Sequence, residues 1–402
     1  MKIAVIGQGY VGLPIAISAA NSGFNVIGFD IDGALVENLN SGISHIRDIT
    51  DEDIRKVIDS RNYHASFNSA DLQNVEVVVI AVPTPLNELR QPDLSFLESV
   101  CDLLGTNLLK RALIINESTS YPGTLRNLIS ARIDALSSLG HLYAISPERV
   151  DPGNNKWKIS NTPRLFAGLT PEASRKVRDF YEKFCDNLIE VSSPEVAEAA
   201  KLFENTFRQV NIALVNEFAL ITRSLGISVR EVLEASASKP YGFMKFNPGL
   251  GVGGHCIPVD PSYLSFAATN VGASTEFIEL ANKINLDMPN KIIEIITKQV
   301  GVALYGKKIL VCGVSYKPNI ADTRESPSLR LIESLREVGA KVSWHDPIVK
   351  TLNGEDSVTL ASEQFDIVVL AIAHDEMNIE AISGCAKIVF DCVGKMPKAI
   401  QL

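Results

Sequence analysis

Residues 2–12 read Lys2-Ile3-Ala4-Val5-Ile6-Gly7-Gln8-Gly9-Tyr10-Val11-Gly12. A short apolar run ends in G-x-G-x-x-G, and a helical apolar pattern follows from Leu13 to Ala20, closing at Gly23. A second apolar run from Asn25 to Phe29 stops at Asp30. Strand, glycine turn, helix, strand and acid in this order predict the first βαβ unit of a dinucleotide-binding fold. There Gly7, Gly9 and Gly12 serve the tight turn, the approach of a diphosphate and close helix packing, and the helix N-terminus attracts the anion. Asp30 is placed to hold adenosine ribose hydroxyls. An acid there disfavours a 2′-phosphate, which points to NAD rather than NADP.

Outward from this unit, apolar runs at 75–82, 112–116 and 142–145 predict further buried strands. They end in Pro83-Thr84-Pro85, in Glu117-Ser118-Thr119-Ser120 and in Ser146-Pro147-Glu148-Arg149-Val150. Open α/β sheets bind ligands at this carboxyl edge. Thr119 either faces cofactor or substrate or forms a Ser/Thr turn. Glu148 and Arg149 are either a working acid–base loop or a solvated salt bridge.

From Pro194 to about Gly226 the pattern is one long helix, spanning roughly 45–50 Å at 1.5 Å per residue. That length suits a connector between domains. Apolar Leu202, Val210, Leu214, Phe218, Ile221 and Leu225 recur at helical spacing, and Glu198, Lys201, Asn205 and Arg208 form a polar stripe. Lys201 and Asn205 are either functional or part of an exposed face. Helical pattern continues through 230–236 and 262–299, which lends this strand-poor middle to a helical dimer core. A second strand–turn–helix–strand unit begins at 307–312, with further strands at 341–345, 365–371 and 387–390. It lacks G-x-G-x-x-G, but Lys317 and Arg324 sit where they could hold nucleotide phosphates. The expected fold class is therefore α/β: two Rossmann-like domains, 1–193 and 301–402, joined by a long central helix and a helical dimerisation region, 194–300.

Between the two α/β halves lies Asn247-Pro248-Gly249-Leu250-Gly251-Val252-Gly253-Gly254-His255-Cys256-Ile257-Pro258-Val259-Asp260-Pro261. The glycines, among them Gly249, Gly251 and Gly253, let backbone approach a ligand closely. Pro261 favours a helix start, whose dipole lowers the pKa of a nearby thiol. The loop reads either as a ligand cradle presenting nucleophilic Cys256, or as a Gly/Pro turn with a bystander thiol and Asp260 as an ordinary N-cap.

The 402 residues fit two to three domains, and 46% hydrophobic with 21% charged residues is ordinary globular composition. A net charge of −9 argues against nucleic acid or a polybasic membrane surface as partner. The six cysteines show no C-x-x-C pair and no zinc spacing, so no metal site is expected. Met1 runs directly into a strand without a signal-peptide pattern, which suggests a cytoplasmic enzyme with reduced thiols. One dinucleotide site, a nucleotide-phosphate candidate and a glycine-cradled thiol together suggest aldehyde oxidation. Cysteine adds to the carbonyl, hydride leaves the thiohemiacetal, and water cleaves the thioester that remains.

IAVIGQGYVG, AVPTP, ESTSYPG, SPERVDPGN, EAAKLFENTFRQVNIALVNE, PGLGVGGHCIPVDP and SYKPNIADTRESPS occur in this order along the chain. With them the sequence resembles the UDP-glucose/GDP-mannose dehydrogenase family over essentially its whole length, most closely the branch oxidising C6 of UDP-N-acetylglucosamine for bacterial surface polysaccharides. The resemblance implies Cys256 as nucleophile, and Lys201 and Asp260 as the pair assisting proton movement, oxyanion stabilisation and water activation. It implies Asn205 as an oxyanion-stabilising substrate contact, Glu148 in thioester hydrolysis and Thr119 near the nicotinamide. The implied NAD site comprises Gly7, Gly9, Tyr10, Val11, Gly12, Asp30, Thr84, Ser118, Thr119 and Arg324. The implied UDP-sugar site comprises Glu148, Arg149, Val150, Lys201, Asn205, Gly249, Gly251, Gly253, Tyr316 and Lys317. Three departures stand out: Pro152 replaces a second Glu of the glucose enzymes, which suggests a sugar pocket altered at C2; Leu35 replaces an Arg of some relatives; and Pro240, Tyr241 and Lys245 lie where some relatives place an arginine before the glycine loop, the last two changes bearing on adenosine and pyrophosphate contacts. UDP-glucose, UDP-N-acetylgalactosamine and UDP-N-acetylmannosamine are the alternative substrates, and an inactive nucleotide-binding regulator is the alternative of another class.

Overall fold

Strands β1 (Lys2–Ile6), β2 (Asn25–Phe29), β3 (Tyr63–Ser66), β4 (Val77–Ile80), β5 (Leu113–Asn116), β6 (Leu142–Ile145), β7 (Arg164–Gly168) and β8 (Leu188–Glu190) form one sheet in the order β3-β2-β1-β4-β5-β6-β7-β8. From β3 to β6 the neighbours are parallel, and β7 runs antiparallel to β6. Register sets Ile6 beside Phe29 and Ile80, Ile80 beside Asn116, and Asn116 beside Ile145. The loops after these strands therefore leave at one edge, and the winding direction reverses between β1 and β4, the switch point where such sheets bind ligands. The central strands are almost wholly buried Val, Ile, Leu and Ala, as a sheet covered on both faces requires. Its covering helices are α1 (Gly12–Asn21), α2 (Gly33–Asn40), α3 (Asp51–Asp59), α4 (Ser95–Asn107), α5 (Ala131–Leu136) and α6 (Pro171–Tyr181).

The computed structural model describes residues 1–46, 48–149, 154, 156–301, 303–360 and 364–402. It divides into two compact units, Met1–Glu204 with Ser262–Val271, and Asn205–Pro261 with Gly272–Leu402. Helix α7 (Pro194–Leu225) is 32 residues long, and the division falls within it. The second unit holds α8 (Val229–Ala237), the start of α9 (Asp260–Asn270), and α10 (Glu276–Val300). Its sheet takes the order β10-β9-β13-β14-β15, all parallel, from β9 (Lys308–Cys312), β10 (Lys341–His345), β13 (Phe365–Leu370), β14 (Ala386–Asp391) and β15 (Ile400–Gln401). A small hairpin, β11 (Thr351–Leu352) and β12 (Glu355–Asp356), stands apart from it. Helices α11 (Pro327–Glu337) and α12 (Ile379–Gly384) complete the unit. Ser326 caps α11, with Pro327 in its first turn.

Three differences from the sequence reading have local causes. The predicted helix 262–299 is two helices, because the chain turns at Gly272 with φ 73°. Strands β3, β7 and β8 were not anticipated: Tyr-His-Ala-Ser and a three-residue β8 carry too little apolar pattern, and β7 opens on Arg164. The polar stripe of α7 is exposed only at Arg208, with Asn205 half-buried. Glu198 and Lys201 are buried, whereas Phe203, Phe207, Leu214, Ile221 and Leu225 are exposed.

Candidate active site

At the first unit's switch point, the turn after β1 packs tightly. A Cβ on Gly12 would lie 1.8 Å from the Gly7 carbonyl oxygen, so glycine is what lets α1 meet the strand. Gly9 differs: a Cβ there would meet no protein atom within 4 Å. Protein packing does not demand glycine at Gly9, whereas a diphosphate laid against the backbone would. No side chain caps α1 and no acid lies in its first turn, so the positive end of its dipole is uncompensated and suits an anion. The Asp30 carboxylate accepts from Gln8 N at 2.8 Å and Asp32 N at 3.1 Å, so the glycine turn itself fixes the acid's position. These residues fit a dinucleotide. Tyr10 is exposed and Val11 half-buried at the head of α1.

The neighbouring loops at this edge are tied together. Val82 N donates to Ser118 Oγ, and Ser118 Oγ donates to Val82 O, each at 2.9 Å. The Ser118 hydroxyl thus links the β4 and β5 loops, and Thr119 follows it, buried. Thr84 is buried and its carbonyl accepts from Tyr263 Oη at 3.0 Å. Glu198 of α7 closes the β5 loop from behind, accepting from Gly123 N at 2.6 Å, Leu125 N at 3.0 Å and Ser120 Oγ at 3.1 Å. Burial pushes its carboxyl up to about 7 despite these donors.

Glu148 follows β6 and is nearly buried. Its Oε2 lies 3.4 Å from Arg164 Nη2, while Arg164 Nη1 pairs with Glu117 Oε2 at 2.7 Å. Arg164 stacks over the Tyr181 ring at 4.6 Å, and Tyr181 Oη donates to Glu117. Burial, with the charge of Glu148 as a further contribution, pushes Glu117 up to about 7 against the pull of Arg164. Arg149 is engaged elsewhere, with its guanidinium on Glu204 at 2.7 Å and on Pro163 O at 2.9 Å. The candidate substrate residue Val150 lies outside the described residues.

In the second unit the glycine loop lies against the sheet's carboxyl edge. Gly254 N donates to Arg324 O at 3.0 Å, and a Cβ on Gly254 would come within 2.6 Å of the Tyr316 ring. A Cβ on Gly251, at φ 115°, would lie 2.3 Å from Asn285 O, and one on Gly253 would meet Tyr316, Glu325 and Pro327. These three glycines answer to the loop's own packing. At Gly249 the space is open, and its N–H donates to Asn216 Oδ1 at 2.9 Å. The loop then turns at Cys256, whose carbonyl accepts from Val259 N at 3.1 Å and Asp260 N at 2.8 Å as α9 begins. Asp260 is fully buried, and Asn205 Nδ2 donates to its Oδ2 at 2.6 Å. Cys256 is half-buried; the other five cysteines are buried, and burial pushes Cys101 up to about 12 and Cys185 to about 11.

The 313–319 loop carries Tyr316 and Lys317 and is held by a buried His374. Asn319 N donates to His374 Nδ1 at 2.8 Å, and His374 Nε2 meets Asp346 Oδ2 at 2.9 Å. Arg324 makes an ion pair with Asp322 on the next turn. Sequence reasoning did not find Arg164, Tyr181 or His374. Arg164 lies in an unanticipated strand, and no local pattern links the three to their partners.

A dinucleotide-binding Rossmann unit and a second α/β unit presenting a half-exposed thiol define an NAD-dependent oxidoreductase. Models of the UDP-glucose/GDP-mannose dehydrogenase family match its NAD binding domain at residues 1–185, its central domain at 195–287 and its UDP binding domain at 310–396. The chain is 33% identical to a UDP-N-acetyl-D-glucosamine 6-dehydrogenase of Pseudomonas aeruginosa, over 97% of this chain and 96% of the relative. It is 35% identical to a UDP-N-acetyl-D-mannosamine dehydrogenase of Pyrococcus horikoshii, over 94% and 90%. The solved UDP-D-ManNAc dehydrogenase of Pyrococcus horikoshii superposes with a TM-score of 0.91 at 32% identity, covering 100% of this chain and 98% of that one. The chain belongs to the UDP-glucose/GDP-mannose dehydrogenase family, and it is an NAD-dependent UDP-sugar dehydrogenase. Among the described residues no helix is long and apolar enough to cross a membrane.

Proposed function

We propose that this enzyme oxidises C6 of a UDP-N-acetylhexosamine, UDP-N-acetylglucosamine foremost, to the UDP-uronate in two successive oxidations with the substrate covalently on Cys256 between them. The observation that carries the reading is the half-exposed Cys256 on the turn that starts α9, one turn from Asp260 and its Asn205 partner. When bound, NAD supplies a hydride acceptor for each oxidation; Gly7, Gly9, Gly12 and Asp30 would hold it, with Tyr10, Val11, Thr84, Ser118, Thr119 and Arg324 as further contacts. The Cys256 thiolate adds to the C6 aldehyde. Asn205 and Lys201 donate to the oxyanion, Lys201 and Asp260 together assist proton movement, and Glu148 takes the proton of the water that cleaves the thioester. On the nucleotide side we assign Tyr316, Lys317 and Gly249, where the backbone is open. Pro152 in place of a second acid, and the name of the Pseudomonas aeruginosa relative, support an N-acetylated sugar.

The mannosamine relatives keep UDP-N-acetylmannosamine as the second reading. NADH release with UDP-N-acetylglucosamine, UDP-N-acetylmannosamine, UDP-N-acetylgalactosamine and UDP-glucose side by side tests the choice. The first is expected to give the highest kcat/KM, and a ten-fold preference for another sugar overturns it. We also assign 194–300 as the dimerisation segment of a cytoplasmic homodimer or higher homo-oligomer. Phe207, Leu214, Ile221 and Leu225 recur along the exposed face of α7 near heptad spacing, a self-complementary seam for a second copy. Leu214→Glu with Ile221→Glu should turn a dimer into a monomer in size-exclusion chromatography with light scattering; a monomeric wild type contradicts the assignment.

A further inference from the structure

Glu148 does not stand alone. Its carboxylate reaches into a buried cluster drawn from four separate elements of the first unit. Arg164 on β7 lies 3.4 Å from Glu148 and 2.7 Å from Glu117, the residue following β5. The same Nη1 donates to Ser146 Oγ at 3.1 Å, two residues before Glu148. Tyr181 at the end of α6 covers the guanidinium with its ring and donates its hydroxyl to Glu117. Arg164 and Glu117 have side chains only 4% and 0% exposed. A buried guanidinium with this many partners cannot be there for solubility. An ion pair this deep gains little over an apolar replacement, so stability alone is a poor reason for it. Its geometry has one consequence at the surface of the cluster, which is where the Glu148 carboxylate sits.

We infer that Arg164 is a positioning residue for Glu148, with Glu117 and Tyr181 holding Arg164 in place. The inference rests on the reading of Glu148 as the residue that serves thioester hydrolysis. In that step water adds to the thioester carbonyl carbon and passes a proton to Glu148. The C–S bond breaks, its electron pair returns to the Cys256 sulfur, and the acid is released; Glu148 then gives up its proton, so nothing is oxidised or reduced. Arg164 touches neither sulfur nor sugar. It fixes which way the carboxylate faces by holding Oε2, while the backbone N–H of Arg149 donates to Oε1 at 2.7 Å. Glu117 gives Arg164 a second anchor, so that the guanidinium is held from behind.

The test is intact-protein mass spectrometry after rapid mixing with NAD and UDP-N-acetylglucosamine, alongside steady-state rates, for wild type, Arg164→Lys, Glu117→Gln and Glu148→Gln. Lysine keeps the charge but loses the two-sided fork. In Glu117→Gln the amide oxygen can still accept from Arg164 and the Tyr181 hydroxyl can rotate to accept from the amide NH2, which favours retention of the fold. Arg164→Lys is expected to lower kcat ten-fold or more, with KM for both substrates within three-fold. The first-turnover NADH burst should persist while the acyl adduct accumulates on Cys256. Glu117→Gln should show the same adduct with a smaller loss of kcat. A purely structural role predicts instead a reduced burst amplitude and no adduct, and that result overturns the inference. If Glu148→Gln accumulates adduct while both other variants hydrolyse it at the wild-type rate, the inference fails and the reading of Glu148 stands. If Glu148→Gln also hydrolyses it at the wild-type rate, the reading of Glu148 itself falls.

Discussion

The Asn205 side-chain amide donates to the Asp260 carboxylate across 2.6 Å, and Asp260 in turn donates its backbone N–H to the Cys256 carbonyl at 2.8 Å. The start of α9, the thiol turn and α7 are thereby pinned at one point. Asn205→Ala removes a donor from a buried carboxylate and, in the proposed role, from the oxyanion. A loss of about 10²-fold in kcat is expected. Asn205→Asp should be worse, because it sets two carboxylates against each other. NADH release rates for the two variants check the order; equal activity of Asn205→Asp and wild type contradicts it.

Two glycines of one motif should fail differently. Gly9→Ala adds a methyl group where no protein atom lies within 4 Å, so its urea midpoint should stay near wild type while NAD affinity drops at least about ten-fold. Gly12→Ala drives a Cβ into the Gly7 carbonyl and should destabilise the fold by roughly 1–3 kcal/mol or more. Titration calorimetry with NAD and urea unfolding separate the two. Unchanged NAD binding in Gly9→Ala would place the diphosphate elsewhere.

Glu198 makes stability depend on pH in a stated direction. Burial raises its folded carboxyl to about 7, above the ordinary range, so the folded chain binds a proton that the unfolded chain has already lost. Its contribution is complete below the ordinary carboxylate pKa and is lost as pH rises to about 7, by an amount on the order of 1–3 kcal/mol. Glu198→Gln abolishes this titration. Urea midpoints measured from pH 5 to 8 should fall less steeply in Glu198→Gln than in wild type, even though the variant is less stable at low pH. Parallel curves would show that Glu198 does not titrate there.

His374 links the nucleotide-side loop to the sheet. Because Nδ1 accepts from Asn319 N, the neutral ring presents Nε2–H to Asp346. Burial raises the Asp346 carboxyl, but His374 and the N–H groups of Val349, Val314 and Ile348 outweigh it, and the net direction is down. Stability from this group holds above the ordinary carboxylate range and is lost as pH falls through the lowered value. His374→Ala should move acid unfolding to higher pH and weaken UDP binding about ten-fold, since Tyr316 and Lys317 lose their anchor. Circular dichroism through an acid titration and calorimetry with UDP measure both; unaltered UDP affinity contradicts the anchoring role.

Local pattern carried the central apolar strands, the glycine turn with Asp30, the long α7 and the position of Cys256, because each is written in consecutive residues. What it could not carry was pairing across the chain. Glu117 and Glu148 were visible as loop acids, yet the arginine between them comes from a strand whose first residue is that arginine. Lys201 and Asn205 looked as suited to solvent as to a site, and only packing showed Glu198 and Lys201 buried and apolar Phe207, Leu214 and Ile221 exposed. The glycine loop was read as a cradle for ligand, and Gly251, Gly253 and Gly254 also have a packing reason to be small, because Asn285, Tyr316 and Glu325 stand against them. Contacts over such sequence distances leave no periodicity to read.

In the proposed mechanism the substrate passes through a covalent adduct on Cys256. Cys256→Ala mixed with NAD and UDP-N-acetylglucosamine tests it most directly, with uronate quantified by mass spectrometry. Uronate formation should fall at least about 10³-fold, with no acyl adduct on the protein. Uronate formed at the wild-type rate would contradict it.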